Sequence, residues 1–167
     1  MIQLPWMRET AAVLGWHEVR DRARLTAFLR SDGRALGDPS KLPWCGDLAD
    51  TVLFLALPAE PRPGKLGENP YWALNWAEFG VPCLACYGAV GVFKRKTATG
   101  GVAGHVGFLV GQSDTHYRVL GGNSGDAVAA IWVAKAKCVA IRWPKTFANP
   151  KTALPVVKQT GGEGRQS

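Results

Sequence analysis

Cys45, His105 and Asn123 are the residues of this 167-residue sequence whose types and surroundings best suit nucleophilic chemistry. Cys45 comes just before the apolar run 48–57, which is long enough to form a buried helix. At the start of a helix, free backbone N–H groups and the helix dipole favour a thiolate and can also hold an oxyanion. The alternative is a small buried residue that only fills the core. The position of Cys45 favours a nucleophile.

His105 is the candidate base for this thiol. It lies between Gly104 and the Val-Gly pair at 106–107, where glycines permit close approach to another element or a ligand. The other two histidines, His17 and His116, occupy a link between predicted helices and a turn between predicted strands. Such positions are typical of surface histidines. His105 is therefore the histidine that we expect at a site.

A third polar group is needed to hold an imidazole base in one tautomer. The run Gly-Gly-Asn-Ser-Gly at 121–125 supplies Asn123, our first candidate for this role. His116 and Asp126 are weaker candidates. An Asn-Ser-Gly sequence is also typical of a plain turn, so the residue types alone leave both interpretations of Asn123 open.

The remaining cysteines suggest packing more than chemistry. Cys83 and Cys86 form a single C-x-x-C, but a structural zinc site needs about four ligands and no second pair follows. Cys138 lies in an apolar run that predicts a core strand. We therefore predict neither a metal site nor a redox site.

Composition predicts one domain and an acidic partner. The hydrophobic content of 47% is enough for a single core, and the formal net charge is +7. The basic residues are scattered apart from the run 94–96, so no dedicated nucleic-acid site is expected. No apolar run of about 18 residues and no signal-peptide pattern occur, which predicts a soluble chain without a transmembrane segment.

Hydrophobic periodicity predicts an α+β fold, in which helices of the first half pack on one face of an antiparallel sheet formed by the second half. A single domain is expected over 1–146, and 147–167 is predicted to be a polar, flexible tail. Segment 58–67, rich in proline and glycine, predicts an irregular loop. The predicted helices are 5–14, 20–30, 48–57 and 69–77, and the predicted strands are 89–93, 105–110, 117–120, 127–133 and 138–143.

Four sequence motifs together resemble the CHAP and NlpC-type cysteine peptidoglycan hydrolases, in particular compact single-domain members from phage endolysins. The motifs are PWCGD at 43–47, YGAVGVFKR at 87–95, GHVGF at 104–108 and LGGN at 120–123. The resemblance implies a papain-like core in which Cys45 is the nucleophile, His105 the base and Asn123 the third polar residue. It places Trp44 and Gly46 at the substrate cleft or oxyanion hole. Because NlpC-type relatives often use a histidine as third residue, His116 stays an alternative.

The resemblance also implies an activity and a location. We expect hydrolysis of an amide bond of bacterial peptidoglycan through a cysteine thioester, by an endopeptidase or an N-acetylmuramoyl-L-alanine amidase, without metal or organic cofactor. A monomeric phage endolysin would be made in the bacterial cytoplasm, released with the help of a holin and active at the wall in the periplasm. The alternatives are a thiol acyltransferase or amidase with a non-wall substrate, and a non-catalytic basic module that binds the wall or belongs to a phage structure. The sequence leaves the cleaved bond open.

Overall fold

Helices dominate the first half of the chain in the computed structural model, which describes residues 3–34 and 36–165. The α-helices of this part are α1 (Pro5–Ala12), α2 (Arg22–Leu29), α3 (Cys45–Ala56) and α4 (Gly64–Glu68), followed by a 3-10 helix at Ala73–Glu78. Pro5 begins α1, where a missing N–H costs nothing. In α3 every residue from Cys45 to Leu53 is buried, as the apolar run predicts.

The second half forms one six-stranded antiparallel sheet, so the α+β class is confirmed. Its spatial order is β1-β6-β2-β3-β4-β5, which places β2 and β3 near the centre. A 3-10 turn at Lys135–Lys137 joins β5 to β6. The strands are β1 (Val81–Pro82), β2 (Val90–Lys96), β3 (Val102–Gln112), β4 (His116–Gly121), β5 (Ala129–Ala134) and β6 (Cys138–Trp143).

Two local predictions are wrong. The segment predicted as an irregular loop contains α4, whose Leu66 is fully buried and whose Lys65 N–H donates to Glu78 at 2.8 Å. The helix expected at 69–77 is instead a 3-10 helix that starts at Ala73, after an Asn69 side chain accepts from the N–H of Tyr71 at 3.1 Å. Both differences arise because tertiary contacts select the backbone conformation of short segments.

The helix α3 packs on the inner strands and on α1. Gly122, just after β4, lies so close to α3 that a Cβ atom there would be 2.6 Å from the Trp44 ring. Trp6 of α1 donates from Nε1 to the carbonyl of Gly88 at 2.9 Å, and its ring meets that of Trp143 edge-on at 5.2 Å. The approach of Gly122 to Trp44 thus sets the start of α3 against the sheet, and the Trp6 contacts hold α1 on the sheet.

The segment predicted as a polar tail lies along the sheet as far as the structure describes it. Leu154 is buried, and the N–H of Gln112 donates to the carbonyl of Pro155 at 2.9 Å. Further along, the N–H of Gly164 donates to the carbonyl of Trp132 at 3.1 Å. Flexibility of this segment stays a prediction, and Gln166 and Ser167 lie outside the described residues.

Candidate functional site

Cys45 begins α3 and forms part of the wall of a cavity of about 380 Å³. No side chain caps this helix, so its first N–H groups stay available. Burial raises the pKa of the Cys45 thiol, while the N–H groups of Val106, Gly46 and Cys45 itself and the charge of Arg95 lower it. Burial dominates, so the resting group is the neutral thiol.

His105 lies within β3, with its Cα opposite Phe93 of β2, and is 1% exposed. Burial lowers the pKa of the imidazole to about 4, and the positive charge of Arg95 acts in the same direction. The ring is therefore neutral at neutral pH, the form that can accept a proton. Its Nε2 atom lies 3.5 Å from Oγ of Ser124.

The Cys45 thiol lies beside the backbone of the residue that follows His105. The N–H of Val106, the residue after His105, acts on the Cys45 thiol. Within residues 3–34 and 36–165, no hydrogen bond joins Cys45 Sγ to the His105 ring, whose Nε2 faces Ser124 instead. In free enzymes such contacts are often long and tighten only when substrate binds.

Asn123 follows β4 and also forms part of the cavity wall. Phe108 of β3 pairs with Leu120 of the antiparallel strand β4. If this register is extended by three residues beyond the end of β4, Asn123 comes opposite His105. Its φ of 55° is left-handed, which asparagine tolerates better than most residues. The hydroxyl of the adjacent Ser124 lies within 3.5 Å of the imidazole, and sequence reasoning missed it because the Asn-Ser-Gly run is equally typical of a turn.

The other candidates for a third residue lie elsewhere. His116 starts β4, at the end of the strand far from Asn123, and its Nδ1 is 2.8 Å from Oγ1 of Thr115. Its Nε2 is 4.0 Å from Glu163. Asp126 forms an ion pair with Arg165. Neither His116 nor Asp126 is among the residues that line the cavity.

Trp44 and Gly46 flank the Cys45 thiol in sequence and are not among the described residues that line the cavity. The Trp44 side chain is fully buried against Gly122, and its Nε1 donates to Glu18 at 2.8 Å. A cleft or oxyanion role for Trp44 stays a prediction. A Cβ atom on Gly46 would be 2.5 Å from the carbonyl oxygen of Pro70. Glycine is thus required for the chain at 70–71 to approach α3, while the Gly46 N–H still acts on the thiol.

The cavity has both charged and apolar walls. Arg95 and Lys41 provide positive charge, and the acidic Glu18 is engaged by Trp44. Trp72, 42% exposed, offers an aromatic face. The cavity is lined by Glu18, Pro39, Ser40, Lys41, Leu42, Pro43, Cys45, Tyr71, Trp72, Ala73, Arg95, Ala103, Gly104 and Asn123.

Asp47 is a buried acid two residues after the thiol. Its Oδ2 accepts from the N–H of Leu36 at 3.3 Å, and its Oδ1 has no hydrogen-bond partner in the described part of the chain. Burial raises the pKa of Asp47 to about 7, with smaller contributions from the neighbouring Asp32 and Asp50, while Arg34 opposes them. Near neutral pH this carboxyl is therefore partly protonated.

The C-x-x-C pair lies away from this site. Cys83 and Cys86 are free thiols that contact each other, and burial, followed by the charge of Cys86, raises the pKa of Cys83 to about 12. Such a thiol is a poor nucleophile at neutral pH. In residues 3–34 and 36–165, no three His, Cys, Asp or Glu side chains are grouped to hold a metal ion.

The described helices are all too short or too polar to cross a bilayer. No family model, curated protein or solved structure matches this chain.

Replacing Asp47 with Asn should flatten the pH dependence of stability. Because the folded pKa of about 7 exceeds the unfolded value of 3.8, the folded state binds more protons in this window, and stability falls as pH rises from about 4 to about 7. The parent should therefore lose about 2 kcal/mol of unfolding free energy between pH 5 and pH 8, and D47N should not show this loss. Urea unfolding at the two pH values measures the difference. D38N removes a loop carboxylate that accepts from Ser40 and whose pKa is lowered by that bond, so this control should leave the difference unchanged. Equal behaviour of the two variants would contradict the burial of Asp47 as a titrating acid.

Proposed function

We propose that this chain is a cysteine hydrolase with a papain-like core, in which Cys45 attacks a carbonyl carbon and His105 serves as its base. The observation that carries the proposal is the position of the Cys45 thiol. It lies at the uncapped start of a 12-residue helix and in a cavity wall, with the N–H groups of Cys45, Gly46 and Val106 acting on it. This combination suits a thiol that must become a thiolate, because the same N–H groups can afterwards stabilise an oxyanion.

The papain-like assignment is supported by the order of the elements. A helix that begins with the cysteine precedes two adjacent antiparallel strands, of which β3 carries His105 and β4 leads into Asn123. The same order underlies the resemblance of the four sequence motifs to CHAP and NlpC-type hydrolases. Fold alone does not establish activity, so the proposal depends on the site residues.

The proposed reaction begins from a neutral Cys45 thiol and a neutral His105 imidazole. In the proposed acylation, the His105 imidazole takes the thiol proton of Cys45 as Sγ bonds to the carbonyl carbon, and the carbonyl oxygen becomes an oxyanion near the N–H groups of Cys45 and Gly46. Collapse of this intermediate breaks the C–N bond, and the imidazolium gives its proton to the departing amine. A thioester remains on Cys45, and water activated by His105 hydrolyses it.

Substrate binding must bring the side chains of Cys45 and His105 into contact. His105 Nε2 faces Ser124 at 3.5 Å, an arrangement that leaves Nδ1 as the ring atom for the thiol. Asn123 lies on the same stretch of chain and reaches the cavity. We assign Ser124 and Asn123 as positioning residues, which hold the tautomer and orientation of the ring.

Bacterial peptidoglycan is the proposed substrate, cleaved by endopeptidase or amidase action as in a phage endolysin. The motif resemblance supports this choice. The formal charge of +7 and the cationic side chains of Arg95 and Lys41 at the cavity agree with an anionic wall polymer. Acyl transfer to a non-wall acceptor and non-catalytic wall binding are the competing functions.

Replacing the nucleophile separates catalysis from binding. We expect C45A to lower the release of soluble fragments from purified peptidoglycan at least about 1000-fold, because no other group can form the thioester. Mass spectrometry of the fragments measures the rate and identifies the bond. C138A, which removes a thiol on β6, is the matched control and should keep parental activity. Release by C45A at the parental rate would contradict catalysis by Cys45, and retained wall binding without any release by the parent would favour the non-catalytic module.

The pH profile tests His105 as the base. Since the pKa of the imidazole is about 4 in place of the usual 6.5, the base form persists far below neutral pH. The acid limb of kcat/KM should therefore lie near pH 4, with little loss of activity between about pH 7 and pH 5. Activity that already halves at about pH 6.5 would show that the working base is an ordinary exposed histidine.

The third residue is tested by comparing Asn123 with His116. N123A and S124A should each lower kcat by about 10-fold to 100-fold with a smaller change in KM, because the ring loses its fixed orientation while most of the cavity wall stays in place. H116A, at the distant end of β4, should match the parent. Loss of kcat in H116A with normal N123A and S124A would reverse the assignment.

A further inference from the structure

Two cysteine thiols outside the Cys45 cavity lie against each other in the link between β1 and β2. Cys83 follows β1 directly, and Cys86 comes three residues later. Their side chains are close enough to hydrogen-bond, and both are free thiols. The C-x-x-C spacing alone gives no reason to expect redox chemistry. Contact between the two sulfur atoms supplies that reason, because a disulfide requires its two side chains to meet.

A second cavity gives small reagents access to one of the two thiols. It has a volume of about 510 Å³, and its walls include the half-buried thiols Cys83 and Cys138. The described walls of this cavity and of the Cys45 cavity have no residue in common. Cys86 is only 5% exposed and is not among the described residues that line the second cavity. Cys83 is therefore the thiol that a reagent reaches first, and Cys86 can then react with Cys83.

Hydrogen bonds hold both thiols in place in the folded chain. The N–H of Cys83 donates to the carbonyl of Ile141 on β6 at 3.1 Å. Nδ2 of Asn149, in the segment after β6, donates to the sulfur of Cys86 at 3.7 Å. An unfolded chain lacks these contacts, so its two thiols meet only by chance. Folding therefore raises the effective concentration of each thiol at the other.

We propose that Cys83 and Cys86 form a reversible disulfide by exchange with a low-molecular-weight disulfide that enters the second cavity. This site is separate from the proposed catalytic one, and the inference does not depend on the proposed function. An oxidising compartment would close the pair, and a reducing one would open it. The closed pair restrains the link between β1 and β2, so it stabilises the folded chain.

The exchange consumes one small disulfide for each protein disulfide that forms. The thiolate of Cys83 attacks one sulfur of the reagent, so a mixed disulfide forms and one small thiolate leaves. The thiolate of Cys86 then attacks the Cys83 sulfur, which breaks the mixed disulfide and releases the second small thiolate. The two cysteine protons end on the two released thiols. The protein pair is thereby oxidised, and the reagent is reduced.

The surroundings of Cys83 make this exchange slow in both directions. Burial, followed by the charge of Cys86, raises the pKa of Cys83 to about 12, while the charge of Arg142 lowers it. Little of the attacking thiolate is therefore present at neutral pH. A thiol with a high pKa is also a poor leaving group, so the disulfide should open slowly once it has formed.

Oxidation of the whole chain by glutathione measures the proposed bond. The protein is equilibrated in mixtures of reduced and oxidised glutathione, from both the reduced and the oxidised side, and peptide mapping identifies the bonded cysteines. The equilibrium constant for the Cys83–Cys86 disulfide should be at least about tenfold larger in buffer than in concentrated urea, because only the folded chain holds the thiols together. An equal or smaller constant in buffer would overturn the proposal, and so would a main disulfide that includes Cys45 or Cys138.

Single substitutions test the order of attack. C86S should stop at a mixed disulfide between glutathione and Cys83, because the second thiol is missing. C83S should react at least about tenfold more slowly at its buried Cys86. C138S removes the other thiol of the cavity and is the matched control, which should form the disulfide as the parent does. A mixed disulfide that forms as fast on Cys86 in C83S as on Cys83 in C86S would overturn the assignment of Cys83 as the attacking thiol.

Thermal unfolding tests the stabilising effect on the parent itself. By linkage, a tenfold larger equilibrium constant in the folded chain should place the Tm of the oxidised parent about 3–6 °C above that of the reduced parent. C83S cannot form the bond, so its Tm should be the same in oxidising and reducing buffer. A Tm of the parent that stays constant or falls on oxidation would contradict stabilisation by the closed pair.

Discussion

The docking of α3 on the central strands is the constraint on which the rest of the site depends. The apolar residues of this helix can be buried only if its first turn meets the chain at Gly122 and 70–71, and glycines at 46 and 122 permit that approach. Core packing thereby places the thiol of Cys45 beside the backbone of β3. The geometry of the candidate site is thus a by-product of hydrophobic burial, which is the largest favourable contribution to folding.

Burial has an electrostatic consequence at the same place. It raises the pKa of Cys45, lowers that of His105 and raises that of Asp47, so each group tends to its neutral form. In the proposed mechanism, a neutral thiol and a neutral imidazole form a resting pair, so proton transfer and attack must occur together.

Local sequence patterns predict the elements but not their long-range contacts. The helix start at Cys45, the strand at His105 and the α+β class follow from apolar periodicity and glycine placement. The approach of Ser124 to His105, by contrast, depends on a strand pairing between distant segments. The full burial of Trp44 depends likewise on Gly122, which is 78 positions away. Such contacts cannot be predicted from the neighbouring residues, because the same residue types occur in ordinary turns and in functional sites.

The central claim is that Cys45 forms a covalent acyl intermediate. Its most direct test is the intact mass of the protein after acid quenching within the first turnovers on soluble wall fragments, followed by peptide mapping. The account predicts an added fragment mass on the Cys45 peptide that neutral hydroxylamine removes, as expected for a thioester. Substrate turnover without any adduct on Cys45, or with an adduct on another residue, would contradict it.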